Sequence, residues 1–154
     1  MGERSPHNDP AARGTFIGMS MDTRREDMTL AILEGVTFGL RDSLEVARSL
    51  GIEIKKTMIC GGGAKSPLCK RLVANILNVE VEVPVSEEGP GFGAAILAAV
   101  GCGEYENVEE ATKSIIKIKE KIKPEADLVV KYEERYRKFK KIYPALKGIF
   151  KEIL

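Results

Sequence analysis

The sequence predicts an α/β domain, a short parallel sheet covered by helices. Three observations predict it. A strand-like run at 57–60 leads through three glycines into a helix from Pro67 and on to a second strand-like run at 79–83, the order of a parallel crossover unit. A long segment, 24–50, repeats apolar residues at three- and four-residue steps. The stretch 91–100 consists almost wholly of small apolar residues with Phe92, Ile96 and Leu97, the composition of a buried helix. A chain of 154 residues accommodates one ordinary domain.

Residues 1–22 read as a connecting arm, because it is rich in Gly, Pro and Asn and Asn8-Asp9-Pro10 marks a turn. Arg13 is expected to pair with Asp9 and pin that arm. Thr23-Arg24-Arg25-Glu26 fits a capping box and opens the first helix, whose apolar stripe runs through Met28, Ala31, Ile32, Val36, Leu40, Leu44, Ala47 and Leu50. Gly51 closes it in the left-handed conformation. Gly35 and Gly39, on or near the stripe, admit a neighbouring helix at close range. Ser66 caps the second helix, Pro67 suits its first position, and Leu68, Leu72, Val73, Ile76 and Leu77 share a face. Asn78 ends that helix. Val79, Val81 and Val83 alternate with Glu80 and Glu82, the period of a strand with one wet face, and Pro84 stops it. Gly93, Ala94 and Ala98 let the apolar helix lie close to a partner. Asn107 with Glu110 gives a further capping box. The run 113–123 reads equally as frayed helix or exposed strand. From Glu125, Leu128, Tyr132, Tyr136, Phe139 and Tyr143 take core-facing helical spacing, and Pro144 ends or kinks that helix.

Composition removes several functions. Twenty-four Lys and Arg against 23 Asp and Glu leave a net charge of +1, which gives no field for nucleic acid or an anionic membrane. The N-terminus lacks a secretory apolar run, and the stretch Gly91 to Cys102 is too short to span a bilayer, so a cytoplasmic protein is expected. Cys60, Cys69 and Cys102 include no CxxC pair, so neither a disulfide framework nor zinc is expected; they read as reduced thiols, two of them buried. The single histidine, His7, reads as a loop side chain bonded to nearby backbone, and no metal ligands are assigned.

The run Cys60-Gly61-Gly62-Gly63-Ala64-Lys65-Ser66-Pro67 is the informative one. Its glycines leave main-chain amides unobstructed ahead of a capped helix, which suits a phosphate or nucleotide. A tight turn with glycines for steric reasons explains the same residues, and position alone does not decide. A P-loop is absent, since Ala64 separates Gly63 from Lys65. A dinucleotide fingerprint on Gly61 and Gly63 lacks its third glycine, with Ser66 in that place, although Glu80 or Glu82 lies at a tolerable distance for a ribose contact.

Several blocks in the same order resemble the FGGY carbohydrate kinases of the actin and sugar-kinase ATPase superfamily. Gly14-Thr15-Phe16-Ile17-Gly18-Met19, then Asp27-Met28 and Ala31-Ile32-Leu33-Glu34, fit that family's C-terminal signature. GERSPHNDPAARG at 2–14 looks like its arm, ICGGGAKSPL at 59–68 like its adenosine motif, and EEGPGFGAAILAAVG at 87–101 like its closing helix. The tail through Tyr132, Tyr136 and Tyr143-Pro144-Ala145-Leu146 is similar as well.

The resemblance implies a partial ribonuclease H-like fold, with 23–154 as the C-terminal nucleotide-binding portion of a kinase that moves the γ-phosphate of ATP to a ketopentose hydroxyl, that of D-xylulose in the first place, ribulose or glycerol kinases being alternatives. It implies ATP against Gly61, Gly62, Gly63 and Ala64, with Pro67 facing the adenine, and Mg2+ held mainly through the ATP phosphates. Lys65 is read as a solvated lysine before a phosphate contact, Gly89 to Ala95 as packing behind the loop, and Glu87 and Glu88 as solvated loop or helix-start charges. The sugar, the general base and the first phosphate loop are expected in an N-terminal lobe that this chain does not contain, so no catalytic residue is assigned and the isolated chain is expected to be inactive. A non-catalytic alternative also stands, in which strand edges and apolar surface drive self-association into a homo-oligomer or pairing with a separate N-terminal lobe.

Overall fold

The computed structural model describes residues 2–86 and 89–153; Glu87 and Glu88 lie outside the described residues. The elements, in order, are α1 (Arg25–Ser49), β1 (Lys56–Met58), α2 (Gly62–Lys65), α3 (Pro67–Leu77), β2 (Glu80–Pro84), α4 (Pro90–Gly101), α5 (Val108–Ile115), β3 (Ile118–Ile122), α6 (Ala126–Phe139) and α7 (Ile142–Glu152). They form two compact units, one of Met1–Ile54, Asn75–Asn78 and Pro124–Leu154, the other of Lys55–Ala74 and Val79–Lys123.

In the first unit α1 packs on α6 and α6 on α7. Phe38 is the anchor: it is buried and meets Tyr132, Tyr136 and Phe139 with ring centroids 6.2, 5.9 and 5.1 Å away. Beside it lies Arg41, also buried, its guanidinium 4.1 Å from the Tyr136 ring and paired with Glu45 and Glu133. Burial, and then the hydrogen bond that its hydroxyl donates to Asp42, raise the Tyr136 phenol well above its ordinary value. The buried face of α1 is therefore Thr37, Phe38 and Arg41, while Ile32, Val36 and Leu40 of the expected stripe are exposed. A Cβ on Gly35 or Gly39 would touch nothing, so neither glycine serves a close helix approach.

The helix ends obey local chemistry. The α1 start is one residue later than expected: Asp27, not Glu26, reaches back to the Arg24 amide at 2.9 Å, and Thr23 Oγ1 accepts from Ser20 instead. At its end Gly51, with φ +80°, donates to Arg48 while Ile52 donates to Ala47, the paired bonds of a Schellman motif. The tyrosine-bearing segment breaks at Lys140–Lys141, and Pro144 sits in the first turn of α7, where a missing amide proton leaves no helical bond unmade.

The arm is held by contacts other than those expected. Arg13 donates to the carbonyls of Pro10, Ala11 and Ala12 and not to Asp9. Asp9 is buried and accepts from the Tyr143 hydroxyl at 2.8 Å and the Ala11 amide, which hold its carboxyl below the usual range. His7 stacks on the Tyr143 ring, centroids 3.8 Å apart, rather than bonding to the backbone with its side chain.

In the second unit the sheet order is β1-β2-β3, with β1 and β2 parallel as predicted and β3 antiparallel on the far edge of β2. The ambiguous run 113–123 thus resolves into the end of α5 and a strand. Val79, Val81 and Val83 are buried, and so is Glu82, which corrects the expectation of a wet face. A strand flanked on both sides is covered by its neighbours' side chains: Lys56 of β1 lies 3.2 Å from the Glu82 carboxylate and Lys121 of β3 lies 2.7 Å from it.

Those bonds, the one to Lys121 first, lower the Glu82 carboxyl below its ordinary range against the opposing effect of burial. A depressed carboxylate contributes stability above the ordinary glutamate range and loses it as pH falls through the depressed value. Glu82→Gln is expected to flatten the acid limb of thermal stability below about pH 5, measured as Tm against pH for both proteins.

α4 packs on α5, and Ile96 and Ala111 are their buried residues. Phe92, Ala99 and Val100 are half-buried and the remainder of α4 is open, with Leu97 60% exposed, so its apolar composition translates only in part into burial. Asn107 caps α5 by accepting from the Glu110 amide at 2.9 Å, as expected, but the Glu110 carboxylate accepts from the Glu106 amide and not from that of Asn107, so only half of the capping box forms.

Candidate functional site

The candidate site forms where β1 ends. Ile59 continues the ladder by donating to the Glu82 carbonyl at 3.0 Å, and the chain then turns at Gly61, whose φ of +76° is a conformation that side chains disfavour. Gly62 to Lys65 coil into the single helical turn α2, where the sequence predicts a plain glycine turn. Ser66 is extended and caps α3, its Oγ accepting from the Cys69 amide at 3.3 Å, with Pro67 in the first helical position. Because Ser66 serves as a cap, the place of the third fingerprint glycine is taken by a residue with a different task.

Gly61 needs to be glycine for its backbone, whereas Gly62 and Gly63 do not. A Cβ on Gly62 would meet nothing within 4 Å, and one on Gly63 would meet only Ile59 Cδ1 at 3.8 Å, ordinary contact. Crowding inside the protein therefore explains neither residue. Both are exposed, and the first amides of a helical turn have no partner within it, so the bare main chain is offered outward.

Next to this loop lies a cavity of about 240 Å³, lined by Gly61, Ala64 and Lys65 of the loop, Lys70 of α3, the β2 end with Ser86, and Lys119 and Glu120 of β3. That is below the roughly 300–1,000 Å³ of a complete small-molecule pocket. Of the anticipated residues, Gly61 and Ala64 line the cavity, whereas Gly62, Gly63 and Pro67 are exposed and outside the lining. Gly89 stands behind the loop, a Cβ there falling 3.9 Å from Cys60 Sγ. Cys60 and Cys102 are exposed and Cys69 half-buried, against the expectation of two buried thiols.

Two residues of the cavity escaped the sequence reading. Lys70 is buried and its ammonium pairs with the Glu120 carboxylate. Each carried a signal: Lys70 shares a helix face with Val73, Ala74 and Leu77, and Glu120 shares a strand face with Ile118 and Ile122. A charge in an apolar register needs a partner.

Among the described residues no group of three His, Cys, Asp or Glu is placed to hold a metal ion, and no helix is long and apolar enough to cross a membrane.

Comparison with known proteins gives consistent matches. The FGGY family of carbohydrate kinases, C-terminal domain, is matched over residues 1–102. A xylulose kinase of Staphylococcus epidermidis is 39% identical over 153 residues, which is 99% of this chain and 31% of that protein. A ribulokinase of Bacillus licheniformis is 32% identical over 148 residues, 92% of this chain and 27% of that one. The crystal structure of a "xyloylose kinase" from Brucella ovis superposes with a TM-score of 0.82 at 34% identity, covering 94% of this chain and 30% of that one. The chain spans less than a third of the length of each of these relatives.

Proposed function

Since the chain belongs to the FGGY family of carbohydrate kinases, whose C-terminal domain it matches, we propose that it is the nucleotide-binding portion of a sugar kinase. The parent reaction is transfer of the ATP γ-phosphate to a hydroxyl of a ketopentose, xylulose in the first place. The observation that carries this reading is the exposed pair Gly62 and Gly63, left without side chains where nothing inside the protein requires it.

The residues present fit a nucleotide. Gly61, Gly62, Gly63 and Ala64 would hold it along their main chain, with Pro67 at the outer edge, and the lysines around the cavity favour an anionic ligand. Bound ATP supplies the phosphoryl group, and Mg2+ carried on its phosphates offsets their charge. This chain contributes positioning and a dry wall of main chain. The proton acceptor for the sugar hydroxyl belongs to an N-terminal lobe that closes over the nucleotide.

Two measurements test this on the 154-residue chain. ATP titration followed by amide NMR is expected to shift the signals of Gly61 to Ala64. The chain alone is expected to phosphorylate no xylulose, and to gain activity when the N-terminal lobe of the Staphylococcus relative is supplied. Turnover by the chain alone would overturn the division of labour.

A second reading rests on α1, whose Ile32, Val36 and Leu40 recur every four residues and are 54%, 62% and 52% exposed. Such a stripe suits self-association or pairing with a separately made lobe. A monomer at all concentrations on a sizing column would count against it. The ribulokinase match keeps ribulose, and other family substrates such as glycerol, as alternatives to xylulose.

A further inference from the structure

The cavity beside the glycine loop is polar in a specific way. Among the described residues its lining carries three lysines, Lys65, Lys70 and Lys119, and one carboxylate, Glu120. The cations favour an anionic ligand, yet a phosphate placed against Glu120 would set like charges together. The carboxylate calls for a neutral hydrogen-bond donor on that same anionic molecule.

Glu120 is prepared for this. Its Oε2 is taken by the Lys70 ammonium, and among the described residues Oε1 carries no hydrogen bond. Lys70 is only 11% exposed in its side chain while Glu120 is 45% exposed, so the lysine is the fixed member and the carboxylate the one that faces solvent. Among the described lining residues there is no aromatic ring, so nothing in the cavity stacks a base.

We propose that Glu120 reads the ribose of the bound nucleotide, accepting a hydrogen bond from a ribose hydroxyl, and that Lys70 is the positioning residue that holds its carboxylate. The inference rests on the glycine loop being a nucleotide wall. It makes the site selective for ribonucleotides over their deoxy counterparts, because a carboxylate oxygen that the bound nucleotide covers and leaves without a donor loses its bond to water and gains none.

The test titrates the 154-residue chain with ATP and with 2′,3′-dideoxy-ATP by amide NMR. ATP is expected to bind on the order of tenfold tighter than the dideoxy nucleotide. Glu120→Ala is expected to abolish the difference in affinity between ATP and the dideoxy nucleotide, while Glu120→Gln, which keeps an acceptor oxygen, retains part of the preference. Lys70→Met is expected to narrow the ratio; a merely structural role for Lys70 would weaken both nucleotides alike. Equal binding of the two by the wild-type chain, or equal losses in Glu120→Ala, would overturn the ribose assignment while shifts at Gly61 to Ala64 leave the loop reading intact. Absence of those shifts with either nucleotide would remove the loop reading and this inference with it.

Discussion

Gly62→Val is expected to reduce ATP affinity more than tenfold while leaving the fold intact. Gly62 lies in a helical turn, outside the left-handed region, and a Cβ there meets no atom of the chain. Valine fills space that the protein itself leaves open. Its intrinsic helical cost is smaller than that of glycine, so stability should change by less than about 1 kcal/mol. If the open space belongs to a ligand, the added isopropyl group stands where the ligand's backbone contact must form, and that loss appears in binding alone. Gly61→Ala supplies the contrast. With φ at +76° an added Cβ strains the turn, and a stability loss of about 1–2 kcal/mol is expected. Thermal unfolding and ATP titration on both variants check the pair. An unchanged ATP affinity in Gly62→Val would sink the proposed site.

Arg41→Ala is expected to destabilise the first unit by about 2–4 kcal/mol, measured by chemical denaturation. The side chain is 10% exposed, its guanidinium covers the Tyr136 ring, and it binds Glu133 and Glu45. Removing it strips three things together: a cation held over an aromatic face, the packing of its stem, and the charge that lowers the Glu133 carboxyl. Glu133 retains Arg137 at 3.2 Å, which places the estimate below that for a wholly stranded buried charge. Arg41→Lys should recover only part, because an ammonium lacks the planar fork that meets two carboxylates at once.

Much of the fold is legible in the sequence where local chemistry decides. Ser66, Pro67 and Asn78 mark both ends of α3 because a cap, a fixed φ and a left-handed residue act within one turn. The parallel pairing of β1 with β2 follows from the helix between them. Burial is less legible. Ile32, Val36 and Leu40, and most of α4, have an apolar pattern that states what could be covered and not what covers it. Glu82 reads as wet because alternation describes one strand, whereas its burial depends on lysines brought in by two others. The break at Lys140–Lys141 has no glycine or proline to announce it.

The site divides in the same manner. Its glycines stand out as a contiguous run, while Lys70 and Glu120 are separated by 50 residues and meet only in three dimensions. Family resemblance bridges part of that gap, because it carries the glycine run across as a unit and has nothing to say of a pairing that no short motif records.

The tie between Asp9 and Tyr143 joins positions 134 apart in the chain, near its two ends. A contact of that reach makes α7 a second holder of the opening segment, beside the Ser5–Ser43 contact to α1. Trimming the polypeptide from its far terminus would therefore loosen its beginning, and protease nicking ahead of α1 becomes a gauge of whether the final helix is seated.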